Sequence, residues 1–305
     1  MTSEQFLKNL ESPQKNVDMV LDTDAFNEVD DQYAIVYMLR STELNPVAIY
    51  AAPFLNGKSE SPADGMEKSY NEIMNILELA GRPDMKDKVY HGSSEYLKDE
   101  STPAISTAAE DLCKRAMCYT PENPLCVVAI GAITNIASAL LLKPEIKENI
   151  VVVWLGGNAV GMKNFYEFNM SQDIAAARVV IGSGVPFVQL PCYGVVSGFT
   201  ISKPELEYWL LGKNPLADYL ARATVNEAES YAAGTPWTRV IWDVTAVAWL
   251  KNTKNEFMWY DIRERHIPGY DGKYHKCENN VPMCYVNVIH RDSLMKDLIK
   301  KLLQS

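Results

Sequence analysis

The chain has 305 residues, 47% of them hydrophobic, and carries 29 basic against 39 acidic side chains for a net charge of −10. That length can bury a sizeable core in one large domain or two small ones. The acidic balance argues against a broad nucleic-acid footprint, which needs a basic face, and favours a small polar substrate or one held through a cation.

The opening Met1-Thr2-Ser3-Glu4-Gln5 leads into a mixed polar segment, not the apolar stretch of a secretion signal. No apolar run approaches the roughly 20 residues of a membrane span. The expectation is a soluble, cytoplasmic protein with neither membrane nor nucleic acid as partner. Cys113, Cys118, Cys126, Cys192, Cys277 and Cys284 form no Cys-x-x-Cys pair, so reduced and mostly buried thiols are expected. His91, His266, His275 and His290 show no spacing suited to zinc.

In chain order, short β-branched runs alternate with helical patterns. Strands are predicted at 17–24, 47–53, 88–91, 125–130, 150–155 and 186–190. Helices are predicted between them at 31–40, 63–80, 104–118, 135–142 and 173–183, with Pro144, Gly182 and Gly184 as punctuation. The runs 125–130 and 150–155 are apolar at every position, as a strand covered on both faces requires. After Pro191 the alternation weakens. Helices are predicted at 204–211, 216–232 and 244–249, strands at 257–267, 273–277 and 283–290, and a closing helix at 292–303. The pattern predicts an α/β fold, an open and mostly parallel sheet flanked by helices. No repeat or linker interrupts it, so one domain over 1–305 is expected.

The densest chemistry lies at the first strand-to-helix turn. Asp22, Asp24, Glu28, Asp30 and Asp31 fall within ten residues. So many carboxylates repel one another unless water, hydrogen bonds or a cation neutralises them. Their oxygens are hard ligands, suited to Ca²⁺ or Mg²⁺. One aspartate at a helix start is an ordinary cap; four around one turn point to a metal or catalytic site. A phosphatase-type nucleophile also uses Asp-x-Asp after a strand, but it leaves Asp30-Asp31 unexplained.

Asp22-Thr23-Asp24 followed by Asp30-Asp31-Gln32-Tyr33-Ala34-Ile35 resembles the N-terminal signature of the nucleoside hydrolases. Further pieces follow in order. Ile130-Gly131-Ala132-Ile133-Thr134-Asn135-Ile136-Ala137 is similar to the family's Gly-x-x-Thr-Asn-Ile-Ala segment, and Trp154-Leu155-Gly156-Gly157-Asn158 to its Gly-Gly turn. Asn164-Phe165-Tyr166-Glu167-Phe168-Asn169 resembles its ribose-binding element, and Trp242-Asp243-Val244 its late aspartate at a helix start. The resemblance runs from about residue 17 to about 250 and implies a Rossmann-like fold.

The resemblance also implies roles. Asp24, Asp31 and Asp243 would bind Ca²⁺ through side chains and Ile130 through its carbonyl oxygen. Asp24 would be the general base for the attacking water. Asp30, Asn56, Asn164, Glu167 and Asn169 would hold ribose hydroxyls. Asn135 and Thr134 read as structural, with Thr134 capping the helix after Gly131. The implied reaction is hydrolysis of the N-glycosidic bond of a small ribonucleoside. Family analogy implies a homo-oligomer, a dimer or tetramer.

Two departures from the family pattern stand out. The turn Ala25-Phe26-Asn27-Glu28-Val29 is longer than the usual one and lacks its Pro-Gly, which leaves open whether Asn27 or Glu28 enters the site. Trp242 replaces the histidine that precedes the late aspartate in inosine-uridine members. An indole is no proton donor for a leaving base but can stack on one. Tyr193, Tyr231, Trp237 and Arg239 are further candidates for the base pocket. Two other readings stay open: hydrolysis of another N-ribosyl compound, and Ca²⁺-dependent ribose binding without turnover.

Overall fold

The computed structural model describes residues 1–279 and 281–304. Eight strands build the central sheet: β1 (Val17–Thr23), β2 (Leu44–Ala51), β3 (Val89–His91), β4 (Leu125–Ala129), β5 (Ile150–Leu155), β6 (Phe187–Leu190), β7 (Met258–Arg263) and β8 (Met283–Ile289). Their order across the sheet is β3-β2-β1-β4-β5-β6-β8-β7. Every pairing is parallel except that of β7, which lies antiparallel to β8 at one edge. This is the mostly parallel α/β sheet that the sequence predicts.

The apolar runs explain the layering. Side chains of a strand alternate between faces, so a doubly covered strand must be apolar throughout. In β4, Cys126 and Val128 join one buried cluster, and Leu125, Val127 and Ala129 join the other. The helices Asp30–Leu39, Val244–Trp249 and Arg291–Leu302 supply Ile35, Val247 and Leu298 to the first cluster. The helices Thr107–Ala116, Thr134–Leu142 and Ile174–Gly182 supply Leu112, Ile136 and Val180 to the second. All six cysteines are free thiols and only Cys118 is exposed. Among the described residues no helix is long and apolar enough to cross a membrane.

Two local expectations are corrected. The predicted strand 257–267 is two strands: β7 stops at Arg263, and His266–Pro268 turns away to pair with Tyr274–Lys276. Arg265 causes the break. Its buried guanidinium donates to the carbonyls of Ile181, Val185 and Pro282 at 2.9, 2.7 and 3.1 Å, drawing the chain off the sheet edge. Thr134 is not a cap. Ile133 occupies that position with no side-chain bond, while Thr134 Oγ1 donates to Asp173 Oδ2 at 2.8 Å. Asp173 is buried and needs such donors. The opening polar segment forms a helix, Ser3–Asn9, capped by Thr2.

The strand order reverses between β1 and β4, where connections leave in opposite directions. Ligands of open α/β sheets bind at such a point, beyond the carboxyl ends of the strands.

Candidate active site

A pocket of about 500 Å³ opens at that end of the sheet. Asp24 follows β1, Ile130 follows β4, Leu155 ends β5 and Cys192 lies just past β6, and all four line the wall. Asn27, Glu28, Asp30, Asp31, Glu167, Phe168, Asn169, Tyr193, Trp242 and Asp243 complete it.

Helix starts aim most of the acids. Asp30 and Asp31 open the helix Asp30–Leu39, and Asp243 precedes Val244–Trp249 without making a capping bond, so its carboxylate is left for the pocket. One carboxylate oxygen each from Asp30, Asp31 and Asp243 lies within 4.8 Å of the others. Thr23 Oγ1 donates to Asp31 and fixes it. Asp24 lines the same pocket outside that trio. Its carboxylate is backed by Gly131, where an added Cβ would sit 2.8 Å from Oδ1. The buried Trp154 indole holds that turn by donating to the Gly131 carbonyl at 3.0 Å. Asp22 does not reach the pocket: Asn135 Nδ2 donates to its Oδ1 at 2.7 Å, and Ser93 N–H donates to Asn135 Oδ1 at 2.7 Å. Asn135 is thus structural, as the sequence reading has it.

Burial dominates the electrostatics. It pushes the carboxyl groups of Asp24, Asp30 and Asp243 well above the ordinary carboxylate range, and repulsion among the cluster adds to it. Asp31 is pushed up to about 7 by burial, against the opposing hydrogen bond from Thr23. Asp22 is likewise raised to about 7, mainly by burial. Asp24 Oδ2 and Asp30 Oδ1 are buried with no hydrogen-bond partner. A hard, all-oxygen donor set with orphaned buried oxygens fits a divalent cation.

A sign follows for stability. The folded chain holds protons on Asp22 and Asp31 that an unfolded chain gives up near 3.8. Stability of cation-free protein is therefore expected to fall as pH rises from about 4 through about 7. Calorimetry in chelator should show Tm dropping by on the order of 5 °C between about pH 5.5 and about pH 8, with calcium recovering the loss at the higher pH. A flat Tm over that window would mean that the cluster stays ionised unaided.

Glu167 caps the helix Phe168–Gln172. It accepts from the N–H groups of Gly157, Met170 and Asn169 at 2.6, 2.5 and 2.9 Å, yet burial still raises its pKa. Asn169 gives its amide N–H atoms to the carbonyls of Ile130 and Leu155, both at 3.0 Å, which leaves its oxygen for a ligand. The same bond steadies the Ile130 carbonyl. Trp242 and Tyr193 meet edge to face with centroids 5.3 Å apart.

The long turn enters the site through both Asn27 and Glu28. Asn27 is pinned by Asn56 Nδ2 at 2.6 Å and by Lys58 Nζ on its carbonyl at 2.6 Å. Arg239 Nη2 donates to Glu28 Oε2 at 2.6 Å, and Nη1 to Tyr231 Oη at 3.1 Å.

Several expected contacts are not made. Asn56 is not part of the wall: its Nδ2 donates to Asn27 and its Oδ1 accepts from Lys58 N–H at 2.8 Å. Asn164 is also outside it, because its amide oxygen accepts from the nearby Tyr166 N–H at 3.1 Å. Of the four added base-pocket candidates only Tyr193 lines the wall. Trp237 packs on the core, Tyr231 is exposed, and Arg239 stands behind Glu28. Leu155, Phe168 and Cys192 line the pocket without having been singled out. Applying the strand-end rule to β5 and β6 as well as β1 would have found the first and last of these.

The model of the inosine-uridine preferring nucleoside hydrolase family matches residues 19–292. A relative described as pyrimidine-specific ribonucleoside hydrolase RihA, from Citrobacter koseri, is 30% identical over 181 residues, 52% of this chain and 55% of that protein. The chain thus spans about half the length of the first curated relatives it matches. The Salmonella paratyphi A protein of the same description is 27% identical over 247 residues, 72% of this chain and 76% of its own. Among solved structures, the purine-preferring ribonucleoside hydrolase from Gardnerella vaginalis superposes with a TM-score of 0.74 at 20% identity, covering 94% of this chain and 98% of that one, a likeness of fold. With its acidic pocket at the strand ends and a family match from the first strand into the closing helix, the chain belongs to the inosine-uridine preferring nucleoside hydrolase family.

Proposed function

We propose that the protein is a Ca²⁺-dependent ribonucleoside hydrolase that releases ribose and the free base. The observation that carries this reading is the convergence of four buried aspartates, two with unpartnered oxygens, beside the oxygens of Ile130 and Asn169 in one pocket.

Asp24, Asp31, Asp243 and the Ile130 carbonyl are proposed to hold the calcium. When bound, that ion orients the ribose diol and lowers the pKa of a water molecule. Asp24 accepts the proton of the attacking water. The water oxygen bonds to C1′ as the bond from C1′ to nitrogen breaks, and the electron pair leaves with the base, which takes up a proton from solvent. Positive charge grows on C1′ and the ring oxygen, where the surrounding carboxylates and the Asn169 oxygen stabilise it. Asp30, Glu167 and Asn169 orient the hydroxyls. Trp242, with Tyr193, offers the base an aromatic face.

Three measurements bear on this reading. The direct test follows ribose and free base from inosine, adenosine, guanosine, uridine and cytidine in the presence of calcium. Equal amounts of the two products from at least one ribonucleoside are expected, and no release from any ribonucleoside, whatever its base, would overturn the proposal. Trp242→Ala should raise KM for these substrates about tenfold with a smaller change in kcat, as for loss of a stacking surface; unchanged constants would place the indole outside the base pocket. Gly131→Ala drives a methyl group against Asp24 and should lower kcat about tenfold while leaving the chain folded. Full activity in that variant would show that the position of Asp24 is not critical.

A further inference from the structure

Apart from its carboxyl groups, the pocket's titratable proton donors among the described residues are the Tyr193 phenol and the Cys192 thiol. Among the described residues its wall carries six carboxylates, those of Asp24, Glu28, Asp30, Asp31, Glu167 and Asp243, and no lysine, arginine or histidine. The nearest guanidinium, Arg239, is tied to Glu28 and does not release its proton in water. The buried His266 lies elsewhere, bonded to Gln189 at 2.7 Å and held near pKa 4 by burial. The Cys192 thiol points at Glu167, 3.5 Å away. Against this acidic wall stand the indole of Trp242 and the ring of Tyr193. Aromatic faces attract cations, most strongly where water is excluded.

Resting on the ribohydrolase reading, we infer that the site is suited to N-ribosides whose aglycone already carries a positive charge, of which N-ribosylpyridinium compounds are the simplest. With Glu28 paired to Arg239, a divalent ion still leaves three of the six formal negative charges without a counter-charge, so the wall favours a cation. The chemistry also closes without an acid. Water bonds to C1′, the bond from C1′ to nitrogen breaks, and its electron pair neutralises the ring nitrogen. The aglycone departs as a neutral molecule. The one proton released comes from the water, passes to Asp24 and leaves to solvent. A neutral purine or pyrimidine riboside lacks this route, because its base departs as an anion unless something protonates it.

The test compares kcat/KM for ribose release from nicotinamide riboside with that from inosine, adenosine, uridine and cytidine, at about pH 8 with calcium. Because pyridinium ribosides are more reactive in water, an equilibrium readout accompanies it: inhibition by N-methylnicotinamide against neutral nicotinamide. The pyridinium riboside is expected to lead by about tenfold or more, and the methylated cation to inhibit about tenfold more tightly. Trp242→Leu should narrow both ratios, and Trp242→Phe, which keeps a π face, should restore them in part. Turnover of a neutral nucleoside at or above the pyridinium rate would show that an acid operates and overturn the inference while leaving the hydrolase reading intact. Equal inhibition by the two nicotinamides would overturn it too. Ribose from none of the substrates would overturn both.

Discussion

Asp24→Asn is expected to lower kcat by about a hundredfold or more at saturating calcium, the usual scale for loss of an acid-base group. The substitution keeps an oxygen in place and removes only the basic carboxylate. Calcium affinity, measured by calorimetry on the same variant, should fall less than turnover does. Asp30→Asn is the informative companion. Asp30, and not Asp24, belongs to the trio whose carboxylate oxygens lie within 4.8 Å of one another. If Asp30 serves the ribose hydroxyls, its loss should appear chiefly in KM. If Asp30→Asn instead abolished calcium binding while Asp24→Asn bound it normally, the two aspartates would have to exchange roles. Near-normal turnover in Asp24→Asn would remove Asp24 as the base.

The sequence made the centre of this site legible because its chemistry is crowded and local. Five acids within ten residues have no ordinary structural use, and strand ends are where an α/β sheet binds ligands. The apolar strands were equally plain, since β4 and β5 are buried at every position. What escaped depended on contacts distant in sequence. The carboxylate of Asp173 recruits the Thr134 hydroxyl, a partner 39 residues away that no capping rule reveals. Arg265 breaks a strand by reaching carbonyls on the segment before β6. Cys192 is one cysteine in an apolar stretch, with nothing in its spacing to mark it. Asn164 shows the opposite case: the motif is visible, but its amide oxygen accepts from Tyr166 N–H two residues on and the side chain lies outside the wall.

Exhaustive chelation is expected to reduce ribose release by about a thousandfold or more, and calcium to restore it. Without a cation, burial and the neighbouring carboxylates push the Asp24 carboxyl well above the ordinary carboxylate range, and a carboxyl that holds its proton cannot accept one from water. On the proposed mechanism, chelation therefore weakens the base as well as removing the metal. The same logic predicts that calcium binding near pH 7 releases protons, which calorimetry in buffers of different ionisation enthalpy would register. Asp243→Ala, which removes one of the three clustered carboxylates, should mimic chelation and resist rescue by calcium. Undiminished turnover after chelation would take the metal out of the mechanism.

The central claim is that one cation held by the buried aspartates turns this pocket into a ribohydrolase. The most direct measurement titrates calcium into metal-free protein and follows bound calcium and ribose release in the same samples, with the substrate panel above. Turnover should rise in step with occupancy and level off when each chain holds a single site's worth of calcium. Full turnover before any calcium binds, or saturation with calcium and no ribose from any substrate, would contradict the account.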